Sequence, residues 1–130
     1  MTLHDLVRQN NRPSIVCLCG STRFGKAFRQ ANLDETLAGR IVLTIGSSTR
    51  NDADLFGHLS CEEIAAIKAR LDELHLHKID LADEILVLNV GGYVGKSTTR
   101  EIQYACRTGK HIRWLEPANV PDWYQQEINR

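Results

Sequence analysis

No run of apolar residues in this 130-residue chain reaches the ~18 that a membrane-spanning helix needs. The first residues, Met1-Thr2-Leu3-His4-Asp5, lack the basic-then-apolar layout of a signal peptide. A soluble, cytoplasmic protein with no membrane partner is therefore the expectation. Charge of one sign is not in surplus either, because 16 Lys and Arg face 16 Asp and Glu. Binding a phosphate backbone draws on basic residues gathered on one face, so a nucleic acid polymer is not the expected partner. A small anion needs only local donors. Cysteine is sparse, and Cys17, Cys19, Cys61 and Cys106 include no C-x-x-C pair of the kind that marks zinc or redox sites. Cys17 and Cys19 stand in an apolar run where alternate residues point the same way, so both read as small core residues. Neither a metal nor a cofactor is expected. Internal repeats and low-complexity segments are absent.

What is there suits a single globular domain spanning residues 1–130. Apolar residues make up 42% and charged residues 25%, ordinary values that leave no place for a disordered or collagen-like chain. At this length roughly two thirds of the unfolded surface is buried on folding, enough to hold a core without disulfides. Ser14 to Cys19 is a short apolar run between Pro13 and Gly20, as expected of a strand buried on both faces of a parallel sheet. Ile41 to Ile45, Glu84 to Val90 and His111 to Leu115 share that character. Helical patterns alternate with them. One carries Phe24, Ala27, Phe28 and Ala31, the next Ile64, Ile67, Leu71 and Leu74, and the third Ile102, Ala105 and Cys106 before Gly109. This alternation predicts a Rossmann-like α/β fold, an open parallel sheet of four to five strands flanked by helices. Ser60 and Glu63 form a capping box, and Ser47 to Leu59, with no helical or alternating period, reads as a long binding loop. Trp123, Tyr124 and Ile128 fit a short final helix.

Ligands of such sheets sit beyond the carboxyl ends of the strands, which directs attention to Gly20–Gly25, Gly46–Leu59 and Gly91–Ser97. Gly20 to Lys26 satisfies G-x-x-x-x-G-K but places Ala27 where Ser or Thr would hold magnesium. Gly91 to Ser97 supplies Lys and Ser but is one residue short. An NTP-binding P-loop is accordingly a lesser alternative. Backbone N–H groups at a glycine turn still suit an anion, to which Ser21 adds a hydroxyl and Arg23 a forked cation. Equally, Ser21 caps the helix and Arg23 is a solvated charge. Gly20, Ser21 and Arg23 in the first loop, and Gly92, Gly95 and Ser97 in the second, are the candidate substrate-binding residues.

Glu101 lies beside Ile102 and one turn before Ala105, on the sheet-facing side of its helix. Placed in the first turn, its carboxylate would be stabilised in the charged form by the positive helix end. That suits a nucleophile or an anion facing a cationic transition state. The competing reading is a Thr98–Glu101 capping box, in which Glu101 only satisfies a backbone donor.

Cys19-Gly20-Ser21-Thr22-Arg23-Phe24-Gly25 resembles the C-G-S-x-R-G-G phosphate loop of the deoxynucleoside 5′-monophosphate N-glycosidases. Ala82-Asp83 through Gly95 to Glu101-Ile102-Gln103-Tyr104-Ala105 and Gly109-Lys110 is similar to the A-D…G-x-x-x-E-x-G-x-A…G-K stretch of the wider nucleoside 2-deoxyribosyltransferase group. Gly91-Gly92-Tyr93 through Glu101 also looks like the P-G-G-x-G-T-x-x-E motif of phosphoribohydrolases, which cleave the same kind of bond. The resemblance implies that the whole chain is one nucleoside 2-deoxyribosyltransferase-like domain. It further implies that Glu101 attacks the anomeric carbon and that Ser21 and Arg23 hold a 5′-phosphate. The chain departs from the pattern where Thr99 and Arg100, rather than glycine, precede Glu101, and where His75 replaces an aspartate eight residues before Asp83. The proton donor to the leaving base is left among Asp80, His75 and His77, although His75 also reads as a core histidine and Asp80 as a surface residue or cap.

The expected activity is cleavage or transfer of the N-glycosidic bond of a nucleoside or nucleoside 5′-monophosphate, with Glu101, Asp80 and His75 as catalytic candidates. A non-catalytic nucleotide sensor of the same fold is the alternative. The resemblance also admits a homodimer, because relatives often complete their sites across one.

Overall fold

A computed structural model of the chain describes residues 2–3, 12–46 and 52–129. Four strands, β1 (Ile15–Cys19), β2 (Ile41–Leu43), β3 (Glu84–Val87) and β4 (His111–Trp114), form a wholly parallel sheet in the order β2-β1-β3-β4. Helices α1 (Gly25–Leu37), α3 (Cys61–Leu81) and α4 (Lys96–Arg107) make the three crossovers, α2 (Asp52–Phe56) precedes α3, and α5 (Tyr124–Ile128) closes the chain. This is the α/β architecture expected from the alternating runs. Among the described residues no helix is long and apolar enough to cross a membrane.

Parallel strands covered on both sides bury every residue, and β1 follows that rule from Val16 to Cys19, each 0% exposed. Val16 and Leu18 pack with Phe28 and Ala31 of α1 and with Leu86 and Leu88. Cys17 and Cys19 face the other layer, with Ile79 and Ala82 at the end of α3 and Ile102 and Ala105 of α4. The chain turns one way from β1 to β2 and the other way to β3, so the crevice between the ends of β1 and β3 is the switch point at which such sheets bind ligands. Gly20 sits there by necessity. A Cβ on it would lie 3.1 Å from Leu88 Cβ and 3.3 Å from the Leu88 carbonyl oxygen.

Several expectations need correction. The Ser47–Leu59 stretch contains α2, an unpredicted helix whose single turn and a half is too short to show a period; residues 47–51 lie outside the described residues. On α3 the Ser60–Glu63 capping box forms as expected. The stripe Ile64–Ile67–Leu71–Leu74 does not make the core, since Leu71 and Leu74 are 53% and 47% exposed and the buried residues are His75 and Ile79. At 21 residues α3 runs about 31 Å, twice the length of these strands, so only its last turns reach the sheet. The final helix exists, and Tyr124 meets Trp114 edge to face.

The sheet is tied at its amino edge by Asp83, which accepts from both terminal nitrogens of Arg12 (2.6 and 2.9 Å) and from the Ile15 backbone N–H (2.8 Å). These donors hold its carboxyl far below the usual carboxylate range, the Arg12 bond first and the Ile15 bond next. A depressed folded pKa means the contribution is whole above the unfolded value, near 3.9, and fades as pH falls from there toward the folded pKa. Melting temperatures followed by circular dichroism should therefore fall below about pH 4 in the native protein, by the modest amount an exposed pair contributes. Asp83→Asn should be less stable at neutrality and lose less on acidification, and parallel curves for the two proteins would refute this.

Candidate functional site

Four ionisable side chains meet under the carboxyl end of β1. The pleat sends Cys17 and Cys19 to the same face, and the last turns of α3 bring His75 over them. His75 Nε2 lies 3.5 Å from Cys17 Sγ and 3.4 Å from Cys19 Sγ. Glu101, on α4, completes the group with Oε2 3.7 Å from the same nitrogen; its side chain is 14% exposed and that of His75 7%. Cys19 immediately precedes Gly20, so the cluster lies directly behind the first glycine turn in the chain.

Burial pushes the Glu101 carboxyl up to about 7, against the opposing pull of His75, with Cys17 and Asp72 adding to the rise. The acid therefore holds and releases its proton near neutrality. For His75, burial acts downward but is outweighed by the hydrogen bond to Cys17 and the charges of Cys17 and Glu101, which leave its pKa raised. The bond from Cys19 draws the Cys17 thiol down to about 6 despite burial, with His75 and Lys78 assisting. Cys19, fully enclosed, moves the other way.

Two expectations about Glu101 fail together. The helix starts at Lys96 with Gly95 as N-cap, so Glu101 lies in the second turn and no Thr98–Glu101 capping box forms. The field of a helix end fades within one turn, which leaves burial to set the carboxyl and to raise rather than lower its pKa. Glu101 does take the inward face, with Ile102 and Ala105 both 0% exposed beside it.

The two glycine turns approach each other across the switch point. Arg23 lies over the Tyr93 ring, 4.1 Å from its centroid, and Phe24 meets the same ring edge-on at 5.9 Å. Ser21 accepts from the Arg23 backbone N–H, capping a single 3-10 turn at Thr22–Phe24 that takes the place of an open P-loop. Gly92 has a positive φ of 82° and packs against Asn119, and Gly95 lies under the Tyr93 hydroxyl. Ser97 accepts from Arg100 at 3.3 Å. An open depression of about 350 Å³ is lined by Val94, Gly95, Lys96, Thr99 and Arg100. No acidic residue stands in the first turn of α4 beside Lys96.

Of the three catalytic candidates, the structure joins Glu101 and His75. Asp80 it places elsewhere: exposed, near the end of α3, accepting at 2.5 Å from the Tyr104 hydroxyl, with its carbonyl held by Lys110. His77 also points away, its ring 3.8 Å from Glu73 on the outer face of α3. What sequence reasoning missed is the pair of sulfurs against His75, whose signal is C-x-C in a strand rather than C-x-x-C in a loop. Compared with family models, curated proteins and solved structures, the chain has no match in any of the three.

Proposed function

We propose that this protein cleaves the N-glycosidic bond of a nucleoside or nucleoside 5′-monophosphate, with Glu101 as nucleophile and His75 as proton donor. The reading is carried by the buried Glu101–His75 contact behind the carboxyl end of β1. It pairs a carboxylate with a group able to protonate a departing base. In the first step C1′ gains oxocarbenium character, its bond to the base nitrogen breaks, and Glu101 oxygen closes on C1′. His75 gives its proton to the leaving nitrogen. In the second step neutral His75 takes a proton from water, whose oxygen displaces Glu101; a second base in place of water gives transfer. The raised pKa of His75 favours the protonated donor, and although burial raises the Glu101 carboxyl, the His75 charge opposes that rise and favours the ionised nucleophile.

Phosphate recognition falls to the paired turns. Arg23, stacked on Tyr93, is pre-oriented beside Ser21, and Lys96 opens α4 with its backbone donors. A panel of nucleosides and their 5′-monophosphates, incubated with chelator-treated protein and resolved by chromatography, should release free base, with monophosphates favoured. Arg23→Ala should raise KM for monophosphates about 10- to 100-fold, a charged hydrogen bond's worth, and leave nucleosides unchanged. Equal effects on both classes would remove Arg23 from the phosphate. Tight binding without any base release would instead identify a nucleotide sensor.

A further inference from the structure

We propose that Cys17 Sγ, Cys19 Sγ and His75 Nε2 form a zinc(II) site, closed on its fourth side by the Glu101 carboxylate. The three donors lie within 4.8 Å of one another and are all buried. With Zn–S near 2.3 Å and Zn–N near 2.0–2.1 Å, the S···N edge of a tetrahedron is about 3.5 Å. Both observed S···N separations, 3.4 and 3.5 Å, match that edge. The N···O edge for a carboxylate ligand is about 3.3 Å, so Glu101, at 3.7 Å, needs to close by a few tenths of an ångström.

The donor set selects the metal. Two thiolates, an imidazole and a carboxylate in tetrahedral array suit zinc and exclude the hard ions that prefer oxygen cages. Binding exchanges the thiol protons for the metal and releases them to solvent. Buried ionisable groups are stable when paired or when they coordinate a metal, and this cluster has both options with the same atoms. Lys78, one turn beyond His75 and held at 2.6 Å to the Thr44 carbonyl, places a cation on the same side of α3, offsetting the excess negative charge of the loaded site. Entry is from the Glu101 side, the more exposed of the two flanks.

The site stands without the glycosidase reading; only one consequence rests on that reading, namely that a bound ion withdraws Glu101 and His75 from the sugar and silences cleavage. The test therefore needs no substrate. The full chain, reduced with a phosphine and freed of metal, is titrated with cobalt(II) and back-titrated with zinc. One equivalent should give the intense visible bands of tetrahedral cobalt together with thiolate-to-cobalt charge transfer in the near ultraviolet, and zinc should erase both. Cys17→Ala and Cys19→Ala should each lose the charge-transfer intensity, whereas the double variant Cys61→Ser/Cys106→Ser should keep it. Glu101→Gln should retain charge transfer and alter the visible bands. Should the Cys17 or Cys19 variants fail to fold, X-ray absorption of the zinc-loaded native protein decides: two sulfur neighbours at about 2.3 Å support the site, and a shell of nitrogen and oxygen alone overturns it. Octahedral cobalt spectra, or full spectra in the folded Cys17 and Cys19 variants, would overturn the site. Absence of base release in a protein that gives the tetrahedral spectrum would count against the glycosidase alone.

Discussion

Glu101→Gln is expected to lower the release of free base by about 10⁴-fold or more, with the fold intact. The substitution keeps the size of the side chain but replaces the anionic oxygen proposed to bond C1′ with a neutral amide. The loss should fall on kcat. KM for monophosphates should stay within a few fold, because the proposed phosphate site at Ser21, Arg23 and the start of α4 is untouched. What rate remains reflects positioning and the proton supplied by His75. A measured kcat within tenfold of the native protein would remove Glu101 from the chemistry.

The second large effect concerns stability and comes from Asn89, a buried polar residue just beyond β3. Its side-chain nitrogen donates to the carbonyls of Glu116 (3.0 Å) and Asn119 (3.1 Å), while its oxygen accepts from the Glu116 N–H (2.9 Å). The residue is 0% exposed and clamps the segment after β4 beneath the Gly91–Gly92 turn. Glu116 in turn accepts from the Gly91 N–H. Asn89→Leu conserves volume, so no cavity confuses the measurement, yet it strands three backbone groups at once. A stranded group costs ~1–3 kcal/mol where it is dry, and partial exposure softens the sum to about 3 kcal/mol. For a domain of this size that is a fall of about 10 °C in Tm, read by thermal denaturation. A change below 2 °C would mean that the clamp is not needed.

The two predictions draw on parts of the chain that were unequally legible. The sheet and its three crossovers were readable because buried parallel strands carry continuous apolar runs, as Ser14–Cys19 and Glu84–Val90 do, and because Gly109 and the Ser60–Glu63 box mark helix ends. Helix phase was not. Ile64, Ile67, Leu71 and Leu74 make a convincing stripe, but Leu71 and Leu74 are exposed, and the face that docks is set by His75 and Ile79. Periodicity says that a face exists, not which part of a long helix meets the core.

The same limit hid the site. Strand alternation puts Cys17 and Cys19 on one face of β1, and helix phase turns Glu101 inward, yet nothing in the spacing of 75 and 101 says that two neighbouring helices set them 3.7 Å apart. The Thr98–Glu101 box failed for a local reason. Gly95 ends an extended segment under Tyr93 and starts the helix one turn earlier than the box requires. Asp80 is a candidate as an acid near the end of the helix that leads into β3, but it faces away from His75 and bonds Tyr104, in line with its alternative reading as a surface residue.

The central claim is that the Glu101 carboxylate forms a bond to the sugar while His75 protonates the base. Acid quenching of chelator-treated protein during turnover of its best monophosphate, followed by peptide mass mapping, tests it most directly. The account predicts a sugar-phosphate mass on the peptide that contains Glu101 and none in the Glu101→Gln variant. An adduct on any other residue, or base release by Glu101→Gln at the native rate, would contradict it.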